Sequence, residues 1–389
     1  MSTFELNRSA FAALLAGDEG RAAGILRRVD ATSLVQFVTA NKLEFHIATL
    51  DADSPVRAVI APVLLRTIDV YWQSQAERQQ SLLDELWRLA DVFEAAGIEF
   101  VLLKGLYFAE RYYGGIENRF SWDLDVLVRC SEAASADRVL RSSGYFRRSA
   151  VVLSRSLTSN FTHAFDYGNE RPRFSVDLHW LLSRHPSFRV DEDAIWKHRE
   201  DTSLYGRRFS VLSPEYEVVS NALSTFRDIQ RGAIRLRALV DLYKVLELED
   251  ARIDWNAFFD KRQEERIAGI AVNVLALLFE LLECEKRFPG AAGLLDRSRE
   301  RLVSLPGGDA ETLFAPGRAA LANRAWTSNI YECSRARVAV WWLVSLPFRM
   351  AVYKSGRRYA NLKRRVHVLK RRLRGEQNLP AAAGRRPMP

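Results

Sequence analysis

Two aspartates, Asp123 and Asp125, stand two positions apart in the segment WDLDVLV of the 389-residue chain. Residues at i and i+2 of a β-strand point to the same face, so the two carboxylates would lie side by side. Neighbouring carboxylates raise each other's pKa unless a cation neutralises them, and oxygen ligands suit Mg²⁺ or Mn²⁺. The pair therefore predicts a metal site, although an aspartate pair facing solvent at a strand end has the same pattern.

Two further segments offer groups that would complete such a site. Lys104 and Gly105 end the apolar run IEFVLLKG and precede a predicted helix, whose N-terminal N–H groups would favour a phosphate. A third carboxylate, Asp177, lies in the alternating segment SVDLHW. Three carboxylates that hold two metal ions beside a phosphate site would suit phosphoryl transfer.

Arg119 and His179 are candidates for supporting roles. Arg119 lies four residues before Asp123 and would either contact a triphosphate or form an ion pair with that acid. His179 shares a strand face with Asp177, so it would orient that carboxylate, contact substrate or act only as a hydrogen-bonded structural residue.

Other residues near these motifs have simpler interpretations beside the functional ones. Trp122 and Trp180 flank the carboxylates and would either stack on a base or belong to the core. Asp241 lies in a largely apolar helical segment, four residues after Arg237, and this spacing predicts an ion pair between the two.

The elements that must position these residues change character along the chain. Helical periodicity covers residues 5–97, and short apolar runs typical of buried strands follow at 98–105 and 122–128. Aromatic and β-branched segments at 145–153, 160–167 and 173–181 predict further strands, and Ser213-Pro214 begins a return to helix. The sequence thus predicts an α+β fold, with a small mixed sheet inserted between N-terminal and C-terminal helical regions.

These patterns divide the chain into six segments. They are an N-terminal helical region (1–97), an α/β core (98–212), a C-terminal helical domain (213–287), a loop or hinge rich in Gly, Pro and charge (288–317), a basic helical tail (318–375) and a disordered end (376–389).

The motifs LLKG, NRFSWDLD with a following VLV, and VDLHW resemble those of the nucleotidyltransferases of the DNA polymerase β superfamily. Within it, the chain is most similar to the bacterial "uncharacterised nucleotidyltransferase" family. The motifs cover about 98–182, and a looser similarity extends to about 250. The resemblance implies a small mixed sheet flanked by helices and a metal-dependent transfer of a nucleoside monophosphate from an NTP to an acceptor hydroxyl, with release of pyrophosphate.

The resemblance also implies roles for individual residues. Asp123 and Asp125 would be metal ligands, and Asp177 would be the third carboxylate, near the acceptor hydroxyl and able to act as its base. Lys104-Gly105 stands where the superfamily has a Gly-Ser phosphate loop. Because the serine hydroxyl is missing, phosphate contacts would fall to backbone N–H groups and the Lys104 ammonium. The acceptor itself is not indicated.

Two other functions remain open. A DxD-dependent glycosyltransferase using a nucleotide sugar would need a strand–helix nucleotide domain before Asp123, and residues 1–97 show no such alternation. A non-catalytic binding protein on the same fold is the second alternative, because a fold alone does not determine activity.

Charge is concentrated at the C-terminal end. The chain has 57 Lys and Arg against 48 acids; twelve of those bases and a single acid lie in 350–389, which leaves the other residues with a net charge of −2. This basic tail would bind an anionic membrane surface, bind nucleic acid, or form a helix with a solvated basic face.

Three isolated cysteines, Cys130, Cys284 and Cys333, show no metal-ligand spacing and are typical of free thiols in a reducing compartment. The N-terminal segment lacks the pattern of a signal peptide, and the longest strongly apolar run is too short to span a membrane. We therefore expect a cytoplasmic protein, with peripheral membrane attachment through the basic tail as an alternative.

Overall fold

The computed structural model describes residues 2–148, 162–169, 174–185, 187–305, 311–314 and 319–332, together with positions 340 and 343. Within these residues the chain is α+β, with a seven-stranded mixed sheet and helices before and after it. This confirms the predicted fold class. The basic segment that begins at Lys354 and the expected disordered end at 376–389 lie outside the described residues.

The N-terminal region consists of helices and no strand across residues 2–97, all of which are described. The helices are α1 (Thr3–Leu15), α2 (Glu19–Leu26), α3 (Ala31–Asn41), α4 (Glu44–Ala48), α5 (Pro55–Val59) and α6 (Pro62–Ala95). The strand–helix nucleotide domain that a glycosyltransferase would need before Asp123 is therefore not present in this range.

The long helix α6 packs one face against the sheet. Its residues Leu82, Leu86, Leu89 and Phe93 recur at steps of three or four and are fully buried. Burial of one such side chain contributes about 1.5–3 kcal/mol to stability. The ring centroids of Phe93 and Phe100 lie 5.5 Å apart, which joins the C-terminal half of α6 to the first strand.

The sheet contains seven strands in the order β3-β4-β5-β2-β1-β7-β6. They are β1 (Phe100–Leu102), β2 (Asp123–Val128), β3 (Tyr145–Arg147), β4 (Ala164–Asn169), β5 (Ser175–His179), β6 (Glu200–Leu204) and β7 (Arg207–Val211). The pairs β2–β5 and β1–β7 are parallel, and the other neighbours are antiparallel. On β2 and β5, Leu124, Val126, Val176 and Leu178 are buried, which leaves the alternate residues for the opposite face.

The sequence predicts β1 to β5 but not the hairpin formed by β6 and β7. The segment EDTSL of β6 is mostly polar and gives no apolar signal. Its turn, Tyr205-Gly206, has positive φ at both residues (48° and 80°), as a type I′ turn requires. The hairpin extends the sheet on the side of β1 that faces away from β2.

The remaining helices lie between the strands and after them. They are α7 (Gly105–Tyr113), α8 (Ala133–Ser142), α9 (Glu192–His198), α10 (Pro214–Arg231), α11 (Leu236–Glu249), α12 (Trp255–Glu265), α13 (Ala268–Leu282), α14 (Pro289–Arg297), α15 (Glu311–Phe314) and α16 (Ala319–Ile330). As predicted, α10 begins at Pro214 with Ser213 at the cap position. Among the described helices, none has both the length and the apolarity needed to cross a membrane.

Helix α14 occupies Pro289–Arg297, in the first part of the segment 288–317 that was expected to be a loop or hinge. The Gly and Pro content suggested irregular structure, but Pro289 occupies the first turn of a helix, where its missing N–H is not needed. The N–H groups of Gly290 and Ala291 donate to the Asp250 carboxylate at 3.0 and 2.9 Å. This cap comes from a residue about forty positions earlier, so no local pattern reveals it.

Candidate active site

A row of carboxylates crosses the centre of the sheet. Asp125 on β2 pairs with Asp177 on the parallel strand β5, and Asp177 pairs on its other side with Asp166 of β4. Asp123 lies two residues before Asp125 on the same face. The structure thus brings together the three predicted carboxylates and adds Asp166, which the sequence analysis missed.

Asp166 could not be assigned from the sequence because its position in the row depends on strand pairing. It lies in AFDYGN, within a predicted strand, but nothing local aligns that strand with β5. Burial raises its pKa, and Arg148 forms an ion pair with it at 3.2 Å.

His179 contacts Asp125 rather than orienting Asp177. Its Nε2 lies 3.2 Å from Oδ1 of Asp125, and the residue is only 9% exposed. Asp125, Asp177 and His179 each offer a ligand atom, and these atoms all lie within 4.8 Å of one another. Two carboxylates and an imidazole at this separation fit a divalent metal ion.

The electrostatics of the carboxylates also fit a cation. Burial, followed by the charge of Asp125, raises the pKa of Asp123 to about 6. Burial together with the charges of Asp125 and Asp123 raises the pKa of Asp177 to about 8. For Asp125 the effect of burial is outweighed by the His179 hydrogen bond and by nearby positive charges, so its pKa is lowered. A divalent cation would relieve the repulsion that raises the first two pKa values.

Lys104 and Gly105 form the junction between β1 and α7, beside the carboxylates. Both have positive φ, 22° at Lys104 and 67° at Gly105, and the second conformation suits glycine. The Leu103 N–H donates to the Asp125 carbonyl at 3.0 Å, which fixes the junction to β2. Helix α7 begins at Gly105 without a side-chain cap, so its first N–H groups suit an anion. Burial lowers the pKa of Lys104 to about 8.

Arg119 forms a buried ion pair with Asp241 of α11. Its Nε lies 2.7 Å from Oδ1 and its Nη2 lies 2.8 Å from Oδ2, which is a bidentate arrangement. Of the two roles expected for Arg119, the structure shows an ion pair, and the partner is Asp241 instead of Asp123. Tyr113 also donates to Asp241, at 2.7 Å.

The predicted pair of Arg237 with Asp241 is wrong as an ion pair. Although four-residue spacing places both on one helix face, Arg237 donates to the Phe120 carbonyl at 3.1 Å. Burial would raise the pKa of Asp241, but Arg119 and Arg237 hold it at about 2. The ionised carboxylate is thus stabilised mainly by Arg119, across 122 positions of sequence.

Gln79 of α6 holds the segment that leads into β2. Its amide N donates to the Ser121 carbonyl and its amide O accepts from the Ser121 N–H, both at 3.0 Å. Gln79 is fully buried, and it occupies a position on the apolar face of α6. In the sequence, only the presence of a polar residue on an apolar helix face indicates that Gln79 has a specific hydrogen-bonding role.

A cavity of about 430 Å³ opens beside Asp123 and Asp125. Its charged lining residues are Lys42, Lys104, Arg119, Arg235 and Arg237, with Asp123, Asp125, Asp228 and Asp241.

The two tryptophans beside the carboxylates differ in exposure. Trp122 also lines the cavity and is 41% exposed, with the Arg78 guanidinium 3.8 Å from its ring centroid. Trp180 is buried against Phe165, with ring centroids 4.9 Å apart, so it belongs to the core.

Comparison with known proteins agrees with this geometry. A family model described as "Uncharacterised nucleotidyltransferase" matches residues 27–283, well over half of the chain. The match spans every strand of the sheet, the carboxylate row and helix α11. A search of curated proteins finds no match to the chain.

Proposed function

The chain belongs to the uncharacterised nucleotidyltransferase family, and we propose that it is a metal-dependent nucleotidyltransferase of the DNA polymerase β-like superfamily. It would transfer a nucleoside monophosphate from an NTP to the hydroxyl of an acceptor and release pyrophosphate. The observation that carries this proposal is the carboxylate row, with ligand atoms of Asp125, Asp177 and His179 within 4.8 Å of one another.

The metal would be Mg²⁺ or Mn²⁺, because most of the donors are carboxylate oxygens. Asp123, Asp125 and Asp177 would hold it, and His179 would either join them or orient Asp125 through its hydrogen bond. When bound, the ion supplies charge neutralisation at the phosphates that react.

The chain's own residues would bind the phosphates and accept the proton. Lys104 and the first N–H groups of α7, from Gly105 onward, would bind phosphate oxygens beside β2. Asp177 would accept the proton of the acceptor hydroxyl once a bound cation relieves the repulsion from Asp125 and Asp123 that raises its pKa. Arg119 would act indirectly, since its pairing with Asp241 fixes α11 against the motif segment.

Isothermal titration with each NTP, in Mg²⁺ and then in EDTA, tests this function. Wild-type protein should bind an NTP only when the metal is present, and Asp125→Asn should lose that binding while it remains folded. Asp260→Asn is the matched control, because Asp260 is exposed on α12 and outside the site. Equal NTP binding by Asp125→Asn and wild type would place the site elsewhere. Metal-dependent binding without turnover in an acceptor screen would favour the non-catalytic alternative.

A further inference from the structure

Two arginines of helix α10, Arg227 and Arg231, are here called the arginine pair; they lie one helical turn apart on the same face. The Arg227 guanidinium donates to Nε2 of His163 at 2.8 Å and to Oγ of Ser224 at 3.3 Å. Because a guanidinium can only donate, His163 accepts this hydrogen bond as a neutral imidazole. Two neutral partners therefore fix the direction of Arg227 without offsetting its charge.

His163 places Arg227 on the side of the carboxylate row where Asp177 lies. His163 immediately precedes β4, and its carbonyl accepts from the N–H of Trp180, the residue that follows β5, at 3.0 Å. The ring centroids of His163 and His179 lie 5.7 Å apart. In the sheet order β4-β5-β2-β1, this contact lies across β5 and β2 from the junction after β1, where the NTP phosphates are expected.

The cavity beside β2 is lined by other residues of α10. Ser224 and Asp228 contribute to its lining, together with the Lys104-Gly105 junction, whereas the two arginines of the pair do not. Asp177 is also not among the lining residues. The arginine pair is therefore separate from the expected nucleotide phosphate site and lies on the side from which the acceptor hydroxyl would reach Asp177.

The charge of Arg227 is not balanced by its surroundings. Within the described residues, neither arginine of the pair forms an ion pair. Burial, followed by the charge of Arg231, lowers the pKa of Arg227, and the charges of the nearby aspartates do not reverse this effect. Two of those aspartates, Asp125 and Asp177, are proposed metal ligands whose charge the cation would offset. Repulsion between the two guanidinium groups would be relieved by a bound anion.

Two guanidinium groups on one helix face suit a phosphate group. Guanidinium binds phosphate oxygens through paired N–H donors, and a phosphate monoester carries a charge of about −1.5 to −2 at pH 7, whereas a carboxylate carries a single charge. We propose that the acceptor is a hydroxyl compound that bears a phosphate monoester, and that Arg227 and Arg231 bind this phosphate. This inference rests on the proposed function and names the class of its second substrate.

The phosphate of the acceptor keeps its bonds during the reaction. The acceptor hydroxyl oxygen forms a bond to the α-phosphorus of the NTP, and the bond from that phosphorus to the bridging oxygen of the β-phosphate breaks. The electron pair of the broken bond stays on the pyrophosphate, and the hydroxyl proton passes to the carboxylate of Asp177. The arginine pair thus binds and orients the acceptor and takes no part in proton transfer.

Titration of inorganic phosphate, followed by ³¹P NMR, tests the assignment. The solution contains Mg²⁺ and a saturating α,β-methylene analogue of the NTP that the protein binds, so that the nucleotide phosphate site is occupied. Arg227→Gln keeps a hydrogen-bonding side chain, and Arg231→Met removes an exposed side chain that makes no hydrogen bond or ion pair in the described structure. Arg297→Met is the matched control, because Arg297 is exposed at the end of α14 and also has no such partner among the described residues.

We expect phosphate affinity to fall by about tenfold or more in Arg227→Gln and by about threefold or more in Arg231→Met, and to stay at the wild-type value in Arg297→Met. Acetate, the carboxylate probe, should bind wild type more weakly than phosphate. The assignment is overturned if wild type binds no phosphate, if Arg227→Gln binds it as wild type does, or if acetate binds as tightly. Should Arg227→Gln not fold, Arg231→Met decides by the same criterion.

The two proposals fail separately. If Asp125→Asn abolishes metal-dependent NTP binding while the arginine variants bind phosphate normally, the acceptor assignment is wrong and the function stands. If the arginine variants lose phosphate binding but Asp125→Asn binds NTP as wild type does, the arginine pair is a phosphate site and the proposed function is wrong. If wild type binds no NTP, the proposed function is wrong, and the same titration without the analogue shows whether the arginine pair binds phosphate.

Discussion

Arg119 and Asp241 join the segment before β2 to helix α11 through two parallel hydrogen bonds of 2.7 and 2.8 Å. Their side chains are only 5% and 6% exposed, so water does little to screen the pair. The pair therefore connects the segment that leads into Asp123 to the C-terminal helical region. The position of the carboxylates thus depends on a contact that takes no part in the proposed reaction.

Replacement of one partner of this pair should destabilise the protein strongly. Arg119→Met or Asp241→Leu leaves the other charge buried without its counter-charge, which typically costs about 3–5 kcal/mol. The double variant Arg119→Met/Asp241→Leu should lose less than the sum of the two single losses, since no unpaired charge remains. Urea denaturation of the four proteins measures these free energies of unfolding. Additive single losses would show that the two side chains are not coupled.

The lowered pKa of Asp241 should make the free energy of unfolding fall as the pH falls. The folded-state pKa of Asp241, about 2, lies below its ordinary value of 3.8, so the unfolded state binds the proton more tightly. The stabilisation, about 2 kcal/mol, is therefore fully present above about pH 4 and is lost as the pH falls toward 2. Free energies of unfolding from pH 7 to pH 3 should decline less steeply in the Arg119→Met/Asp241→Leu variant than in wild type. Parallel curves would contradict the assignment.

Gln79 should affect nucleotide binding although it lies outside the cavity lining. Gln79→Met leaves the N–H and carbonyl of Ser121 without partners, which should cost about 2–3 kcal/mol of stability. Asp123 follows two residues later, so we also expect a loss of metal-dependent NTP affinity. The control is Gln80→Met, next along α6 and exposed. The same NTP affinity in both variants would mean that the Gln79 bonds do not position Asp123.

The sequence predicted those site residues whose arrangement follows from neighbouring positions in the chain. The i, i+2 spacing of Asp123 and Asp125 follows directly from strand alternation, and the structure confirms that they share a face. The alternating segment SVDLHW offered Asp177 as a third carboxylate for the site, but its pairing with Asp125 depends on β5 lying beside β2, which no local pattern shows.

Residues that depend on distant contacts were missed or misassigned. Asp166 enters the carboxylate row only through the register of β4 with β5. Asp241 was paired with its helical neighbour Arg237 because four-residue spacing is visible in the sequence, whereas a partner 122 positions away is not. Lys42 lines the cavity without any local signal, since its position depends on how α3 packs beside α11.

His179 should contribute to metal affinity through its contact with Asp125. Loss of a group that ligates a metal or orients a ligand typically weakens binding by 10–100-fold. We expect His179→Ala to weaken Mn²⁺ binding by that factor, measured by titration of Mn²⁺ in the absence of nucleotide. The control is His198→Ala, because His198 is exposed at the end of α9. If both variants bind Mn²⁺ as wild type does, His179 is only a structural residue.

Trp122 should bind the base of the nucleotide. Its large aromatic side chain lines a polar cavity and is 41% exposed, so its burial contributes less to the stability of the fold than that of a core tryptophan. The Arg78 guanidinium lies 3.8 Å from the ring centroid and restrains the indole from one side. Stacking of a base on an aromatic ring contributes about 1–3 kcal/mol, which corresponds to about fivefold to 150-fold in Kd.

Trp122→Ala should therefore bind NTP within that range of weakening, whereas Trp122→Phe, which keeps an aromatic face, should lose much less. Titration with inorganic pyrophosphate separates stacking from general damage to the site, since pyrophosphate has no base and its affinity should stay unchanged in both variants. A parallel loss of NTP and pyrophosphate binding in Trp122→Ala would show instead that the indole supports the neighbouring Asp123.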